Sequence, residues 1–171
     1  AQRYRMPSFG TAAVSDAHEI DLQMSFEFGV SLLLNALSGS NLVHDVGWLS
    51  SSFGSSNEML VLADDMIGWI RRYMGGINTD TLEAGARELD EVGPGGSFLD
   101  RDLTLDNFKK ETWYPRMMSR LAYQAWENSD KISLNQRLKD EVNNLAKTHQ
   151  PAPISADKIR ELDRLTGVSK K

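Results

Sequence analysis

Two short clusters of polar residues near the start of the chain could carry chemistry. Ser15, Asp16 and His18 form the first cluster, and His44 and Asp45 form the second. Each cluster follows a segment that we predict as a β-strand, and a long apolar helix is predicted between the two strands. In parallel α/β folds, ligands bind beyond the carboxyl ends of the strands. Carboxylate, imidazole and hydroxyl groups at these positions could therefore hold a small polar ligand.

The sequence leaves a structural interpretation open for several of these residues. Asp16 could cap the turn into the next helix, and His18 could be a solvated loop histidine. In an ideal strand, His44 and Asp45 point to opposite faces, so both face one cavity only if the strand ends between them. Glu27, in an otherwise apolar helix, needs a salt-bridge or hydrogen-bond partner.

The elements that must position these residues follow from the hydrophobic pattern. Residues 6 to 9 begin the first predicted strand, and residues 41 to 49 form the second. Between them, residues 21 to 38 predict a helix with Asp21 at its amino end and Gly39 as its stop. This helix is apolar on most faces, which predicts burial on most faces.

Further helices are predicted after the second strand. Ser55 and Glu58 have capping-box spacing and predict a helix that runs to Gly75. Within it, Asp64 and Asp65 have the pattern of helix-surface charges.

The remainder of the chain also favours helices. A third helix is predicted from Thr79 until the VGPGG sequence near residue 92 breaks it. Charged helices with aromatic anchors then continue to the end. The last helix has Ser155 as its cap and ends at Gly167.

Length and composition indicate one globular domain with a core, since the chain has 171 residues and 40% hydrophobic residues. A net charge of -5 with scattered basic residues argues against nucleic acid or an anionic membrane as partner. No apolar run reaches the roughly 20 residues that a membrane span needs. With no cysteine and three separated histidines, we expect no protein-ligated metal site. No signal peptide is recognisable, so we expect the cytoplasm, and the start at Ala1 indicates a continuation of something longer or a trimmed product.

Two or at most three strands cannot close a barrel, because a (β/α)8 barrel takes about 250 residues. The missing strands would lie in another chain, in an upstream portion or in a copy of this chain.

Five stretches of the sequence resemble, in order, the carboxyl-terminal third of the trimethylamine methyltransferase family, the corrinoid-dependent methylamine and quaternary-amine methyltransferases. The stretches are PSFGTAAVSDAHEIDLQMSFE, NALSGSNLVHDVGWL, EMLVLADDMIGWIRRYMGGI, ELDEVGPGGSFL and THQPAPISADKIRELDRL. The resemblance implies a helix-dominated α/β fold that is part of a TIM barrel. Residues 1 to 99 would form its terminal βα units, and residues 100 to 171 a helical tail that packs on the barrel.

The same resemblance implies a reaction and its partners. A methyl group would move from a quaternary or tertiary methylamine, such as glycine betaine, to a Co(I) corrinoid (cobalamin) carried by a separate protein. We expect a homo-oligomer and no corrinoid bound tightly by this chain. No catalytic residue can be assigned.

Candidate substrate-binding residues come from the polar clusters and the helix between them. They are Ser15, Asp16, His18, Gln23, His44 and Asp45. A cation without hydrogen-bond donors favours carboxylates and aromatic faces, which adds Glu27, Phe9 and Trp48 to Asp16 and Asp45. A betaine carboxylate would need a donor, which His18, His44, Gln23, Ser15 or the backbone amides after Asp21 could offer.

One departure from the family pattern bears on the substrate. The resemblance places pyrrolysine of the trimethylamine enzymes near Ala13, where this chain has only standard residues. The chain therefore resembles the branch without pyrrolysine, whose implied substrates are quaternary amines. The alternatives are a non-catalytic structural or oligomerising remnant of such a barrel, and an unrelated α/β binding protein. If the chain is part of such an enzyme, we expect it to be inactive on its own, or active only with the missing strands supplied in trans.

Overall fold

A computed structural model describes residues 1 to 167. Most of the regular structure in them is helical, and each strand has only two or three residues. The strands are Phe9–Thr11 (β1), Leu42–His44 (β2), Trp48–Leu49 (β3) and Gly54–Ser55 (β4). The helices are Leu22–Leu37 (α1), Asn57–Met74 (α2), Leu82–Val92 (α3), Asp102–Glu111 (α4), Tyr123–Glu127 (α5), Leu134–Thr148 (α6) and Ala156–Thr166 (α7). The predicted helix-dominated α/β class is confirmed at this level.

Strands β1 and β2 pair in parallel, with α1 as the crossover between them. The predicted βαβ unit is therefore confirmed, although its strands differ from the prediction. Residues 6 to 8 precede β1 rather than belong to it. The predicted strand at 41 to 49 is interrupted, because Asp45 and Gly47 have φ values of 67° and 92°. After this break the chain forms β3, which pairs with β4 in the antiparallel direction.

Helix α1 has the predicted ends but not the predicted burial. The Asp21 side chain accepts a hydrogen bond from the Met24 amide at 2.9 Å, and Gly39 follows the helix with a φ of 74°. Only one face, including Phe28, is buried, whereas Phe26 is 70% exposed. The prediction of burial on most faces was wrong for this chain, because its other elements cover a single side of α1.

The opening of α2 lies one residue later than its predicted cap. Ser56, not Ser55, accepts from the Met59 amide at 3.4 Å and donates to the Glu58 carboxylate at 2.7 Å. Ser55 is instead the last residue of β4. Helix α6 packs on α2 and inserts Leu138, which is 1% exposed, into the core.

Asp65 was predicted as a surface charge, and this prediction was wrong. Its side chain is 3% exposed and accepts hydrogen bonds from the backbone amides of Arg116 and Met117 at 2.8 and 3.1 Å. The neighbouring Asp64 is exposed and pairs with the Arg116 side chain, as predicted for a helix-surface charge. Periodicity could not separate the two, because the segment that needs Asp65 lies about 50 residues downstream.

Helices α3 and α7 differ in how well the pattern locates them. Helix α3 begins at Leu82, after a turn that contains the predicted start at Thr79. Helix α7 follows Ser155 and ends before Gly167, which has a φ of 66°, as predicted. Among the described residues, no helix combines the length and the apolar character that a membrane crossing requires.

Helix α1 lies very close to β1 at Gly10. A β-carbon at this position would collide with the Asn35 Nδ2 atom. That nitrogen donates to the Thr11 carbonyl oxygen at 3.3 Å, which ties the helix to the end of the strand.

Candidate functional site

A cavity of about 450 Å³ lies where β1 and β2 end, between α1 and the two loops that follow the strands. Three carboxylates, from Asp16, Glu27 and Asp45, line it together with the aromatic side chains of Phe26 and Trp48. No lysine or arginine is among the lining residues in the described part of the chain. The lining is thus acidic and aromatic, which suits a positively charged ligand.

Backbone hydrogen bonds hold the two exit loops together beyond the strands. The Gly47 amide donates to the Ala13 carbonyl at 2.9 Å, and the Ser15 amide donates to the Trp48 carbonyl at 3.0 Å. The side chains that follow β1 and β2 therefore stay at one edge of the sheet, as parallel pairing requires.

Glu27 connects helix α1 to the loop after β1. Its carboxylate accepts from the Ser15 hydroxyl at 2.7 Å, from the Asp16 amide at 3.0 Å and from the Gln23 side chain at 2.9 Å. The Ser15 hydrogen bond, followed by those of Gln23 and Asp16, lowers the pKa of Glu27 below its ordinary value. The predicted partner of Glu27 is therefore a set of hydrogen-bond donors and not a salt-bridge partner. With its pKa lowered, Glu27 is ionised at neutral pH.

Asp45 and His44 contact each other directly. The His44 Nδ1 atom lies 2.6 Å from Asp45 Oδ2, and the Thr11 hydroxyl donates to the same oxygen at 3.1 Å. Asp45 has a left-handed backbone, so the strand ends between it and His44. This is the condition under which both side chains can reach one site.

A tight turn places Asp45 beside Trp48. The Trp48 amide donates to the Asp45 carbonyl at 3.2 Å, and Gly47 occupies the turn with a φ of 92°. A β-carbon at Gly47 would lie 3.0 Å from the Leu60 side chain. The backbone angle therefore favours glycine here, and a β-carbon would also press on the Leu60 side chain.

Asp16 is held by a turn of three serines in unusual conformations. The Ser51 hydroxyl donates to Asp16 Oδ1 at 2.9 Å. Ser50, Ser51 and Ser52 all have positive φ values, of 51°, 52° and 73°. Such residues cost on the order of 1–3 kcal/mol each and concentrate at functional sites. The strain adjoins the cavity, since Ser51 and Ser52 line it.

The structure brings half of the predicted substrate-binding residues to the cavity lining. These are Ser15, Asp16 and Asp45. His18 is instead exposed and contacts the Ser50 hydroxyl at 2.8 Å, while Gln23 contacts Glu27. His44 is absent from the lining and contacts Asp45. Their role in binding stays a prediction.

Two further predicted residues lie outside the lining. Phe9 is exposed and packs edge-on against His44, with ring centroids 5.0 Å apart. Ala13 is fully buried with a φ of 56°, and Val14 lines the cavity in its place.

Sequence reasoning missed Thr11 and the cavity-facing residues of α1. Phe26, Val30 and Leu34 recur every four residues and line the cavity. This spacing is a detectable signal, but the same positions also fit a helix that is buried on most faces. The described residues contain no group of three or more histidine and carboxylate side chains placed to hold a metal ion.

Comparison with known proteins gives consistent matches. The sequence model of a family described as trimethylamine methyltransferase (MTTB) matches residues 1–169. The chain is 30% identical over 162 residues to trimethylamine methyltransferase MttB of Methanosarcina thermophila. This match covers 95% of the present chain and 33% of the Methanosarcina protein. It is 31% identical over 138 residues to a glycine betaine methyltransferase of Desulfitobacterium hafniense. That match covers 80% of this chain and 29% of the Desulfitobacterium protein. The chain spans about a third of the length of these relatives.

Proposed function

The chain belongs to the trimethylamine methyltransferase family, and from this premise we propose that it forms part of the substrate cavity of an amine methyltransferase. The single observation that carries the proposal is the cavity lining. Asp16, Glu27 and Asp45 line one cavity with Trp48 near the carboxyl ends of two parallel strands, with no basic residue among the described lining residues. This environment stabilises a permanent cation through charge and through the face of an indole ring.

The proposed reaction transfers a methyl group from a quaternary methylamine, such as glycine betaine, to a Co(I) corrinoid on a separate carrier protein. The carbon–nitrogen bond breaks, its electron pair stays on nitrogen, and a neutral tertiary amine leaves. The corrinoid supplies the nucleophile and accepts the methyl group. This chain contributes orientation, because an in-line displacement requires the methyl carbon to be held facing the acceptor.

We propose that the corrinoid visits this site on its carrier protein rather than binding here as a resident group. The cavity is open to solvent, which leaves room for an acceptor on another protein to approach.

In the proposed architecture, β1 and β2 are neighbouring strands of a TIM barrel and the later helices form its tail. The parallel pairing and the α1 crossover support this arrangement. Apolar side chains of α1 outside the cavity lining, such as Leu22 and Leu37, are exposed, which supports a need for further polypeptide from the same protein or from a second copy.

The test is methyl transfer by the full-length protein in the presence of glycine betaine and a reduced corrinoid protein. We expect spectroscopic conversion of the corrinoid to its methylated form together with release of dimethylglycine. We expect no conversion by the 171-residue chain alone, which lacks most of a cavity wall. Conversion by that chain alone would contradict the proposed barrel, and no conversion with any methylated amine would contradict the proposed reaction.

A pair of aromatic variants tests the cavity itself. Trp48→Leu removes the indole face and should raise KM for a quaternary amine by about tenfold or more. Phe53→Leu changes an aromatic residue that is exposed outside the cavity, so its KM should equal that of the unaltered protein. Equal KM values in both variants would show that Trp48 does not face the cation.

A further inference from the structure

The three carboxylates of the cavity differ in how much of each is already used by the protein. Glu27 accepts three hydrogen bonds that occupy both of its oxygens. Asp16 is exposed, and its Oδ1 atom accepts from Ser51. These contacts make Glu27 a connector between helix and loop, and they make Asp16 a connector to the serine turn.

Asp45 differs from Asp16 in burial. Each keeps one carboxylate oxygen without a partner among the described residues, but Asp16 is exposed and the Asp45 side chain is largely buried. Both of its side-chain contacts, from Thr11 and His44, go to Oδ2. Its Oδ1 atom has no hydrogen-bond partner among residues 1 to 167, and the side chain is only 17% exposed. A partly buried carboxylate that keeps one oxygen uncommitted in an acidic cavity is suited to receive a cation.

His44 is fixed from three sides. Its Nδ1 atom lies 2.6 Å from Asp45, its Nε2 atom lies 3.4 Å from the Thr11 hydroxyl, and its ring packs against Phe9. A hydrogen bond between these two atoms requires the proton on Nδ1, because a carboxylate oxygen accepts. The ring itself is absent from the cavity lining. It therefore acts on the cavity through the orientation of Asp45.

We propose that Asp45 is the residue that determines specificity for a methylammonium cation, and that His44 is the positioning residue that holds it. This inference rests on the proposed function and assigns roles within the same cavity. The turn that joins Asp45 to Trp48 supports it, because the turn brings the carboxylate of Asp45 and the indole of Trp48 to the lining of the same cavity. Together they form a site for a cation that has no hydrogen-bond donor.

Three substitutions of His44 separate positioning from packing. His44→Asn keeps a donor near the place of Nδ1 and should retain the contact with Asp45. His44→Gln keeps a donor only near the place of Nε2, which faces Thr11. His44→Phe keeps the ring against Phe9 but has no donor.

The probe is tetramethylammonium, a quaternary cation without a carboxylate, titrated calorimetrically into the full-length protein. We expect His44→Phe, His44→Gln and Asp45→Asn each to weaken its binding on the order of tenfold. His44→Asn should stay within about threefold of the unaltered protein. His149→Phe, at an exposed position after α6, is the matched control and should bind normally.

In turnover, the defect of His44→Phe should lie in KM for the quaternary amine, with kcat changed less. The failures are distinguishable. No binding of tetramethylammonium by the unaltered protein would overturn the cation site of the proposed function. Normal binding by the unaltered protein and equally by His44→Phe would overturn only the role of His44. Weak binding by His44→Asn, with unfolding temperatures lowered in every His44 variant, would assign the ring a purely structural role and also overturn the inference.

Discussion

At the scale of single residues, Glu27 shows how one carboxylate can organise a site without being its binding group. Its contacts with Ser15, Asp16 and Gln23 fix the loop after β1 on helix α1. The sequence indicated that Glu27 needed partners, since an acidic residue interrupts an apolar helix. It could not identify them, because two of the three donors lie in a loop whose path depends on β2.

Glu27 should contribute a measurable pH dependence to stability. Because folding lowers its pKa from the ordinary value of 4.5, its contribution is fully present above that pH and is lost as the pH falls through the folded pKa. In denaturant titrations at several pH values, Glu27→Gln should be less stable at neutral pH and decline less on acidification. Glu19→Gln, at an exposed position, controls for the change in net charge. Parallel stability curves for the original and Glu27→Gln proteins would contradict this assignment.

Gly47 should tolerate no side chain. Gly47→Ala places a β-carbon against Leu60 on a backbone with a φ of 92°, so we expect a loss of about 1–3 kcal/mol in the free energy of unfolding. Gly85→Ala is the opposite case, since a β-carbon there meets open space on a helix, and it should stabilise by about 0.5–1 kcal/mol. Equal effects of the two substitutions would show that the turn adopts another conformation.

At the scale of elements, caps and breaks were more predictable than burial. Asp21 and Gly39 bound α1 because capping depends on neighbours along the chain, which a sequence displays directly. The burial of α1 depends on which elements cover it, and these are distant in sequence or outside this chain. The sequence allowed the second strand to end between His44 and Asp45 but did not locate this break, because a left-handed aspartate has no signal in a periodic pattern.

Asp65 provides a test of how α2 holds the later segment. Asp65→Ala leaves backbone amides of residues 116 and 117 without their acceptor and should cost on the order of 3 kcal/mol. Asp64→Ala removes an exposed ion pair and should cost about 0–1 kcal/mol. Chemical denaturation of both variants measures the difference. Similar losses would indicate that Asp65 is hydrated rather than buried.

At the scale of the whole molecule, the core forms where α6 crosses α2 and where α1 covers the parallel strands. Leu138 and Met59 are among the most deeply buried side chains, although they lie about 80 residues apart in sequence. The sequence indicated several amphipathic helices after residue 55. It could not select the pair that meets, since several helices have a similar apolar stripe.

Removing the anchor of α6 should therefore affect the entire fold. Leu138→Ala should lower the free energy of unfolding by about 2–5 kcal/mol, because it removes a buried leucine and leaves a cavity. Leu145→Ala, on the same helix but about half exposed, should cost clearly less. Thermal and chemical unfolding would compare the two variants. Equal destabilisation would show that α6 does not dock on α2 through Leu138.

The close approach of α1 to β1 constrains how this sequence can diverge. A side chain larger than hydrogen at Gly10 collides with Asn35, while the Asn35 Oδ1 atom has no partner among the described residues. Shortening Asn35 therefore forfeits one long hydrogen bond and opens the space that a methyl group at position 10 would occupy. Positions 10 and 35 should consequently covary in an evolutionary record, with glycine retained wherever the amide is kept and alanine tolerated only beside a smaller residue.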